Sequence, residues 1–200
     1  MMRNGFVYGV ISHQGDYSLH KDLLRKMHRK AIGVFTVEDL QKINALIIPG
    51  GECTTLIKFF DRMSLWDDVR ARIKDGMPVF GTCAGLILLA KDINNSGYHS
   101  LDAMDVDVIR NAYGRQVDSF EAPLKSSFFG DKPLNGIFIR APRIVRIGSD
   151  VEVLANLDGE PVLVRTGSIL GAAFHPELTD DKRVHELFVE MAEGKTKHDR

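Results

Sequence analysis

Apolar and polar residues alternate along the first half of the chain in blocks that predict strands and helices in turn. Short β-rich runs predict strands at residues 6–12, 31–35, 45–48 and 78–80. Segments with apolar residues at helical spacing predict helices at residues 16–30, 55–62, 65–74 and 86–91. The runs at 45–48 and 78–80 are apolar throughout, as in strands buried on both faces. The alternation predicts an α/β protein with three layers, in which helices cover both faces of a mostly parallel, flavodoxin-like sheet.

The second half of the chain has a different pattern, in which short strands follow one another through tight turns. Strands are predicted at residues 105–111, 136–140 and 151–157 and within 161–174, and Asp158-Gly159 is a hairpin signal. A final helix is predicted at 180–193, and the polar residues 194–200 are expected to fray. The sequence contains no repeat or linker, so residues 1–193 are predicted to form a single domain.

Composition excludes several functional classes. The chain has 200 residues, of which 44% are hydrophobic and 26% charged, with a formal net charge of −1. Such a balance creates no field that attracts nucleic acid or anionic lipid, so neither is expected as a partner. A structural zinc site needs about four nitrogen or sulfur ligands at characteristic spacings, and the two cysteines do not form such a pattern. No metal or cofactor is therefore expected. The apolar run near the N-terminus is too short to cross a membrane, and a reducing cytoplasm is the simplest location.

The sharpest chemical signal is a cysteine between two glycines where a predicted strand meets a predicted helix. Residues 81–85 read Gly-Thr-Cys-Ala-Gly. This is the nucleophile-elbow pattern with cysteine in place of serine, and the turn leaves no room for side chains at Gly81 and Gly85. Cys83 then lies at the start of a helix, where the helix dipole favours a negatively charged sulfur. A buried structural cysteine is the alternative interpretation.

A cysteine nucleophile needs a base, and one histidine stands apart from the others. His175 closes the apolar run 169–174 and is followed by Pro176 and Glu177. Proline favours extended backbone before it, and residues two apart in an extended segment point the same way. Glu177 is therefore predicted to orient the His175 imidazole, although the tripeptide alone is equally consistent with a turn. No special neighbours distinguish the other histidines, which are His13, His20, His28, His99, His185 and His198.

A third segment, residues 47–52, reads Ile-Ile-Pro-Gly-Gly-Glu at the end of a predicted strand. Two glycines there can turn backbone N–H groups toward a substrate oxygen, and such donors stabilise an oxyanion by about 3 kcal/mol each. Taken alone, Pro-Gly-Gly is usually only a turn. The segments at Gly50, Cys83 and His175 each follow a predicted strand, so all three are expected to meet at one edge of the sheet.

Together these residues resemble the class I glutamine amidotransferases, and in particular the PdxT/SNO family, the glutaminase subunits of pyridoxal 5′-phosphate synthase. The resemblance spans nearly the whole chain and follows the family's order of motifs. The cysteine elbow and His-x-Glu are common to many glutaminases, whereas the blocks at 50–55, 110–116 and 140–142 are more specific. The matching segments are 13–15 (HQG), 49–55 (PGGECTT), 81–86 (GTCAGL), 110–116 (RNAYGRQ), 139–142 (IRAP) and 175–180 (HPELTD).

The resemblance implies Cys83 as the nucleophile, His175 as general base and acid, and Glu177 as the orienting residue. It also implies oxyanion donors at the Gly51 and Ala84 backbone amides. An arginine fork suits the α-carboxylate of a free amino acid, and a glutamate suits its α-ammonium group. Glutamine binding is implied for Gly51, Glu52, Cys53, Arg110, Ile139 and Arg140.

Two positions depart from the family's pattern. Cys53 stands where serine is usual, which removes a side-chain hydroxyl contact but leaves binding through the backbone intact. Cys53 is also a second site for thiol reagents. His13 and Asp16 replace the more apolar residues usual around Gln14-Gly15, which bears on partner contacts there but not on the fold.

The resemblance implies hydrolysis of L-glutamine to glutamate and ammonia through a γ-glutamyl thioester. All 200 residues are expected to belong to the glutaminase domain, so the ammonia acceptor is expected to bind to another chain. The resemblance names that chain as the PdxS/SNZ-type synthase subunit, which makes pyridoxal 5′-phosphate in vitamin B6 biosynthesis. The resemblance implies that the glutaminase is poorly active until docked, which fits the hypothesis that docking flips the Gly50-Gly51 peptide into its oxyanion-binding state.

Three other interpretations keep the fold but change the function. A glutaminase that serves another pathway, such as imidazole glycerol phosphate synthase, is the nearest rival. A cysteine hydrolase of the PfpI type also has an elbow cysteine, but the His-x-Glu pair near the C-terminus and the two arginines argue against it. A catalytically silent binding module predicts at least one broken triad position, and none is broken here.

Overall fold

The computed structural model describes residues 5–13, 15–94, 97–110, 112 and 119–194. Gln14, Asn111 and residues 113–116 of the motifs above, and the predicted frayed tail beyond residue 194, lie outside these ranges. The strands are β1 (Val7–Ile11), β2 (Lys30–Val34), β3 (Ala45–Ile48), β4 (Val79–Thr82), β5 (Ala90–Asp92), β6 (Met104–Ile109), β7 (Ser119–Leu124), β8 (Leu134–Ile139), β9 (Arg143–Ile147), β10 (Glu152–Leu157), β11 (Glu160–Thr166) and β12 (Ile169–Ala172). The helices are α1 (Tyr17–Lys26), α2 (Val37–Leu40), α3 (Cys53–Arg62), α4 (Leu65–Lys74), α5 (Ala84–Leu89) and α6 (Arg183–Glu193), with a 3₁₀ turn at Pro176–Leu178.

A seven-stranded sheet forms the centre of the fold, in the order β10-β11-β12-β4-β3-β1-β2. Neighbouring strands from β2 to β12 run parallel, and β11 and β10 extend one edge by antiparallel pairing. All residues of β3 and β4 are buried, as their uninterrupted apolar runs predict. The predicted α/β class with a mostly parallel sheet is confirmed.

Helices pack on both faces of this sheet, as two adjacent residues of β4 demonstrate. Successive side chains of a strand point to opposite faces. Phe80 makes ring contacts with His20 of α1 and with Phe188 of α6. A side chain at Gly81 would instead meet Gly85 of α5. The strand therefore separates a layer containing α1 and α6 from a layer containing α5.

Two smaller sheets form mainly from the second half of the chain, with the order β5-β6-β9 in one and β7-β8 in the other. The sequence did not predict β7 or β9, because neither has a clear apolar face: β9 has one buried residue and β7 also has only one. The helix predicted at 86–91 ends at Leu89, because residues Ala90–Asp92 pair with β6 as β5. Helix α2 was also not predicted.

The buried apolar residues form one continuous core that extends across the central sheet and its covering helices. Because parallel strands end at a common edge, the segments after β1, β3, β4 and β12 converge there. This convergence brings the predicted site residues together. Across the described ranges, no helix combines the length and apolar character needed to cross a membrane.

Candidate active site

Cys83 occupies the sharp turn between β4 and α5. Its backbone has φ +48° and ψ −104°, a strained conformation of the kind that nucleophile elbows adopt. Its N–H donates to the Ala172 carbonyl at 2.8 Å, which ties the turn to β12. A Cβ on Gly85 would collide with the Ile48 carbonyl oxygen, and one on Gly81 would collide with the Gly85 backbone. The two glycines of the motif are thus needed for close packing, as the sequence predicts.

His175 and Glu177 form a buried pair just beyond β12. His175 Nδ1 lies 2.8 Å from Glu177 Oε1, and the His175 N–H donates to the Ile137 carbonyl at 2.8 Å. The backbone argument made from the sequence is wrong, because Pro176–Leu178 is a 3₁₀ turn rather than an extended segment. The turn, and not strand alternation, brings the two side chains together.

The surroundings of this pair shift both pKa values. Burial acts to lower the pKa of His175, but the Cys83 side chain and the Glu177 carboxylate outweigh it and raise the pKa from 6.5 to about 10. Burial acts to raise the pKa of Glu177, but His20 and His175 hold that pKa well below its usual range. The imidazole therefore readily holds a proton between the sulfur and a carboxylate that stays ionised.

Cys83 and His175 flank the same point in space, at the tip of the loop after β3. A Cβ built on Gly50 would lie 3.0 Å from His175 Nδ1 and 3.3 Å from Cys83 Cβ. Cys83 Sγ approaches the Ile139 carbonyl oxygen at 3.7 Å, and His175 Nε2 is buried without a hydrogen-bond partner in the described part of the chain. The imidazole nitrogen remote from Glu177 is thus available to the sulfur or to a substrate.

A small cleft opens above the sulfur. Its volume is about 190 Å³, below the range of drug-sized sites, so it suits a ligand as small as a free amino acid. Among the residues named from the sequence, Glu177 and Ala84 do not line it: Glu177 lies behind His175, and Ala84 is buried. Asp16 and Ile87 line the cleft without having been predicted. The lining residues are Asp16, Gly51, Glu52, Cys53, Cys83, Ile87, Arg110, Ile139, Arg140 and His175.

Glu52 pairs with both arginines of the cleft. Glu52 Oε1 lies 3.3 Å from Arg110 Nη2, and Glu52 Oε2 lies 3.4 Å from Arg140 Nη1. Glu52 also caps α3 by accepting from the Thr54 N–H. Ion pairs that are this exposed contribute at most about 1 kcal/mol, so a zwitterionic ligand can replace them at low cost.

Sequence reasoning missed a buried polar group behind Glu177. His20 of α1 lies between Glu177, Thr82 and His185 of α6, and both of these histidines are fully buried. The available signal was the position of His20 on the apolar face of α1 beside Leu23 and Leu24, since a histidine there must find a polar partner in the interior.

One group in the described residues has the spacing of a metal site. Oxygen or nitrogen atoms of Asp16, His175 and Glu177 all lie within 4.8 Å of one another. Two of these residues are the histidine–carboxylate pair itself. A cation there would compete for the atoms through which His175 and Glu177 bond to each other.

The fold and the site together define a class of protein: an open α/β protein with a cysteine elbow and a histidine–carboxylate pair at the carboxyl edge of its sheet. Residues 10–194 match the model of the SNO glutamine amidotransferase family. The chain belongs to the SNO glutamine amidotransferase family.

Relatives agree with this assignment. The chain is 49% identical over 187 residues to a pyridoxal 5′-phosphate synthase subunit PdxT of Fervidobacterium nodosum, with 94% of this chain and 97% of the relative covered. It is 47% identical over 191 residues to the PdxT subunit of Thermoplasma volcanium, with 93% and 94% covered. A solved glutamine amidotransferase superposes with a TM-score of 0.87 at 45% identity, with 93% of this chain and 98% of that chain covered.

A more distant structure supports the fold alone. A putative GMP synthase subunit of Thermoplasma acidophilum superposes with a TM-score of 0.70 at 14% identity, covering 96% of each chain. The predicted family and fold are confirmed, and glutamine amidotransferases are enzymes that hydrolyse glutamine.

Proposed function

We propose that this chain is the glutaminase subunit of a pyridoxal 5′-phosphate synthase, and that Cys83, His175 and Glu177 form its catalytic triad. The observation that carries the proposal is that Cys83 and His175 flank one small cleft whose other walls carry two carboxylates and two guanidinium groups. Such a cleft has a nucleophile for an amide and counter-charges for the two ends of an amino acid.

In the proposed first half-reaction, the Cys83 sulfur attacks the side-chain carbonyl carbon of glutamine. Backbone N–H groups of Gly51 and Ala84 stabilise the resulting oxyanion, by about 3 kcal/mol each. His175 transfers its Nε2 proton to the amide nitrogen as the C–N bond breaks, which releases ammonia and leaves a γ-glutamyl thioester. Glu177 holds Nδ1 and so keeps Nε2 directed at the reacting atoms.

In the second half-reaction, water replaces ammonia. His175, now without its Nε2 proton, accepts a proton from the water as its oxygen attacks the thioester carbonyl. The C–S bond then breaks, glutamate leaves, and the starting protonation state returns. The raised pKa of His175, about 10, favours the protonated imidazole that the first step requires.

We further propose that glutamine replaces the ion pairs of the cleft. Its α-carboxylate binds Arg110 and Arg140, and its α-ammonium group binds Glu52. The backbone of Gly51, Cys53 and Ile139 holds the remainder of the ligand, as the position of these segments around the cleft permits. The Glu52, Arg110 and Arg140 charges that pair with one another are thus proposed to pair with the two ends of the substrate.

The proposed partner is a synthase subunit of the PdxS type, because the relatives in two distant organisms are named as subunits of pyridoxal 5′-phosphate synthase. Residues 1–193 are proposed to act as a single glutaminase domain, and docking is proposed to reorient the Gly50-Gly51 peptide so that its N–H faces the oxyanion. Ammonia would then pass to the partner without release into solution, where it would be protonated.

Glutamate release, measured with and without a purified PdxS-type subunit, tests the proposal. We expect the complex to hydrolyse glutamine much faster than the isolated chain. Cys83→Ala should lower the rate of the complex by roughly 10⁴-fold or more, because no other group replaces the nucleophile. Cys53→Ala is the matched control, since Cys53 is also buried and lines the same cleft, and it should retain the rate within about threefold.

Two results would contradict the proposal. Equal loss in the Cys83→Ala and Cys53→Ala variants would mean that the sulfur of Cys83 has no special role. Stimulation by the cyclase subunit of imidazole glycerol phosphate synthase, and not by the PdxS-type subunit, would assign the ammonia to the rival pathway.

A further inference from the structure

We infer that His20 is a positioning residue that fixes the hydrogen-bonding direction of the Glu177–His175 pair. His20 touches neither the cleft nor the reacting atoms, so its effect passes through Glu177. The role in turnover rests on the proposed glutaminase reaction, whereas the hydrogen-bonding direction follows from the buried contacts alone.

His20 lies at the centre of a buried polar cluster. Its Nδ1 is 2.9 Å from His185 Nε2. Its Nε2 faces two oxygens, Glu177 Oε1 at 3.4 Å and Thr82 Oγ1 at 3.3 Å. His20, His185 and Thr82 are fully buried. The Phe80 ring of the central sheet packs edge to face against the His20 ring. Water does not compete for these atoms, so each proton must find its acceptor within the cluster.

His185 determines where the protons lie. Its Nδ1 is buried and has no hydrogen-bond partner in the described ranges. A proton on that nitrogen would be an unsatisfied buried donor, which costs about 1–3 kcal/mol, whereas a bare lone pair is better tolerated. His185 therefore carries a single proton, on Nε2, and donates it to His20 Nδ1. Burial also lowers the pKa of His185 to about 3, which agrees with a neutral ring.

Once His20 Nδ1 is an acceptor, its proton must be on Nε2. That proton faces Glu177 Oε1, which also accepts from His175 Nδ1 at 2.8 Å. Oε2 of the same carboxylate has no hydrogen-bond partner in the part of the chain that is described. Two imidazole nitrogens thus converge on one oxygen of Glu177: His175 Nδ1 hydrogen-bonds to it at 2.8 Å, and His20 Nε2 lies at the ion-pair distance of 3.4 Å.

The consequence for His175 is a fixed tautomer. Glu177 only accepts, so His175 must keep a proton on Nδ1 in both of its charge states, and Nε2 alone exchanges protons with Cys83 or the substrate. The chain of donors runs in one direction from His185 through His20 to Glu177, where it meets the donor of His175.

The same histidine also borders the loop predicted to stabilise the oxyanion. Thr82 Oγ1 accepts from the Gly50 N–H at 3.1 Å and lies 3.3 Å from His20 Nε2. Thr82 directly precedes Cys83 in the elbow. His20 therefore adjoins the segments that carry the nucleophile, the base and the Gly50 loop, although it belongs to a fourth segment, α1.

Two variants of the complex test this role. In His20→Leu, Glu177 loses the neighbouring Nε2–H of His20, so kcat for glutamine should fall by about 10- to 100-fold, the range that corresponds to the loss of one polar contact with a charged group. KM should stay within about threefold because the cleft is unchanged. The acid limb of the kcat/KM profile should move to higher pH, because Glu177 loses a neighbour that helps to keep its pKa low. His20→Gln restores an N–H donor and should recover several-fold of the loss.

Tyr8→Phe provides the control for loss of a buried hydrogen bond, since the fully buried Tyr8 donates to Glu193 far along the sheet from the cleft. It should leave kcat and the pH profile unchanged. An unchanged kcat and pH profile in His20→Leu, or equal impairment of His20→Gln and His20→Leu, would overturn the inference.

A second measurement needs neither turnover nor a variant. Nitrogen-15 NMR of the imidazoles in the unmodified chain should show His20 protonated on Nε2 and His175 protonated on Nδ1. A His20 ring with its proton on Nδ1 alone would refute the inference, even if His20→Leu failed to fold. If the unmodified complex did not hydrolyse glutamine, the proposed function would fail, while the NMR result would still decide the direction of the hydrogen bonds.

Discussion

Gly50→Ala is expected to inactivate the site while leaving the fold in place. Gly50 follows β3, and its own Cα faces the two principal side chains of the cleft. A Cβ at this position would lie 2.4 Å from His175 Cε1, 3.0 Å from His175 Nδ1 and 3.3 Å from Cys83 Cβ. The substitution adds one methyl group and changes no charge, so its effect reports on geometry alone.

The structure sets the size of the effect. Ordinary contacts between such atoms begin near 3.4 Å, so the imidazole must move by about 1 Å to accommodate the methyl group. A shift of that size stretches the 2.8 Å bond between His175 Nδ1 and Glu177 Oε1 beyond hydrogen-bond range. Misplacement of a reacting group by 1 Å costs about a hundredfold in rate, which corresponds to about 2.7 kcal/mol of activation free energy.

Two measurements are required: steady-state glutamine hydrolysis by the complex, and urea unfolding of the isolated chain. Gly9→Ala is the matched control, because a Cβ on Gly9 would be equally crowded, at 2.5 Å from Ile43 Cδ1, but in the core away from the cleft. Both variants should lose about 1–3 kcal/mol of unfolding free energy. Only Gly50→Ala should lose activity. If Gly50→Ala kept kcat/KM within threefold of the unmodified complex, the geometric reasoning would be refuted.

Two further predictions concern buried titratable groups. Burial raises the pKa of Cys53 to about 11, so iodoacetamide at pH 8 should alkylate Cys83 first, and mass spectrometry that found Cys53 modified first would contradict this. His185, whose pKa burial lowers to about 3, takes up a proton below pH 6.5 only when unfolded, so stability should fall as pH drops through that window, by at most about 1.4 kcal/mol per pH unit. Urea unfolding of His185→Phe should show a shallower fall, and an equal slope would refute the assignment.

The cysteine elbow was predictable because its determinants are local. Spacing alone explains why residues 81 and 85 must be glycine, and the contacts of Gly81 and Gly85 in the structure agree. The pairing of His175 with Glu177 was named correctly for a wrong reason, because proline was taken to extend the backbone whereas it begins a 3₁₀ turn. Local preference limits the conformations of such a tripeptide but does not choose between them.

The apolar face of α1 indicated that His20 is buried, but its partners were not predictable, because the contacts of the histidine cluster are entirely tertiary. His20 and His185 are separated by 165 residues and meet only when α1 and α6 pack on the same face of the sheet. Strand β9 was missed for a related reason. Its arginine side chains are exposed, so they give no apolar pattern, and Arg146 instead donates a hydrogen bond to Asp107 of the neighbouring strand. In both cases pairing across the fold, rather than the pattern within a segment, determines the structure.

The site therefore has an interior held by main-chain hydrogen bonds and a rim whose ion pairs a ligand can replace. Main-chain hydrogen bonds hold its interior segments: the N–H of Cys83 bonds Ala172, that of His175 bonds Ile137, and that of Gly50 bonds Thr82. Behind them the imidazoles of His20 and His185 are fully buried and hydrogen-bond to each other. At the rim, Glu52 pairs with arginines that are partly exposed, and these weak pairs can open without disturbing the interior. A substrate that exchanges rim contacts therefore meets interior segments that main-chain hydrogen bonds already hold in place, so binding energy need not be spent on ordering those segments.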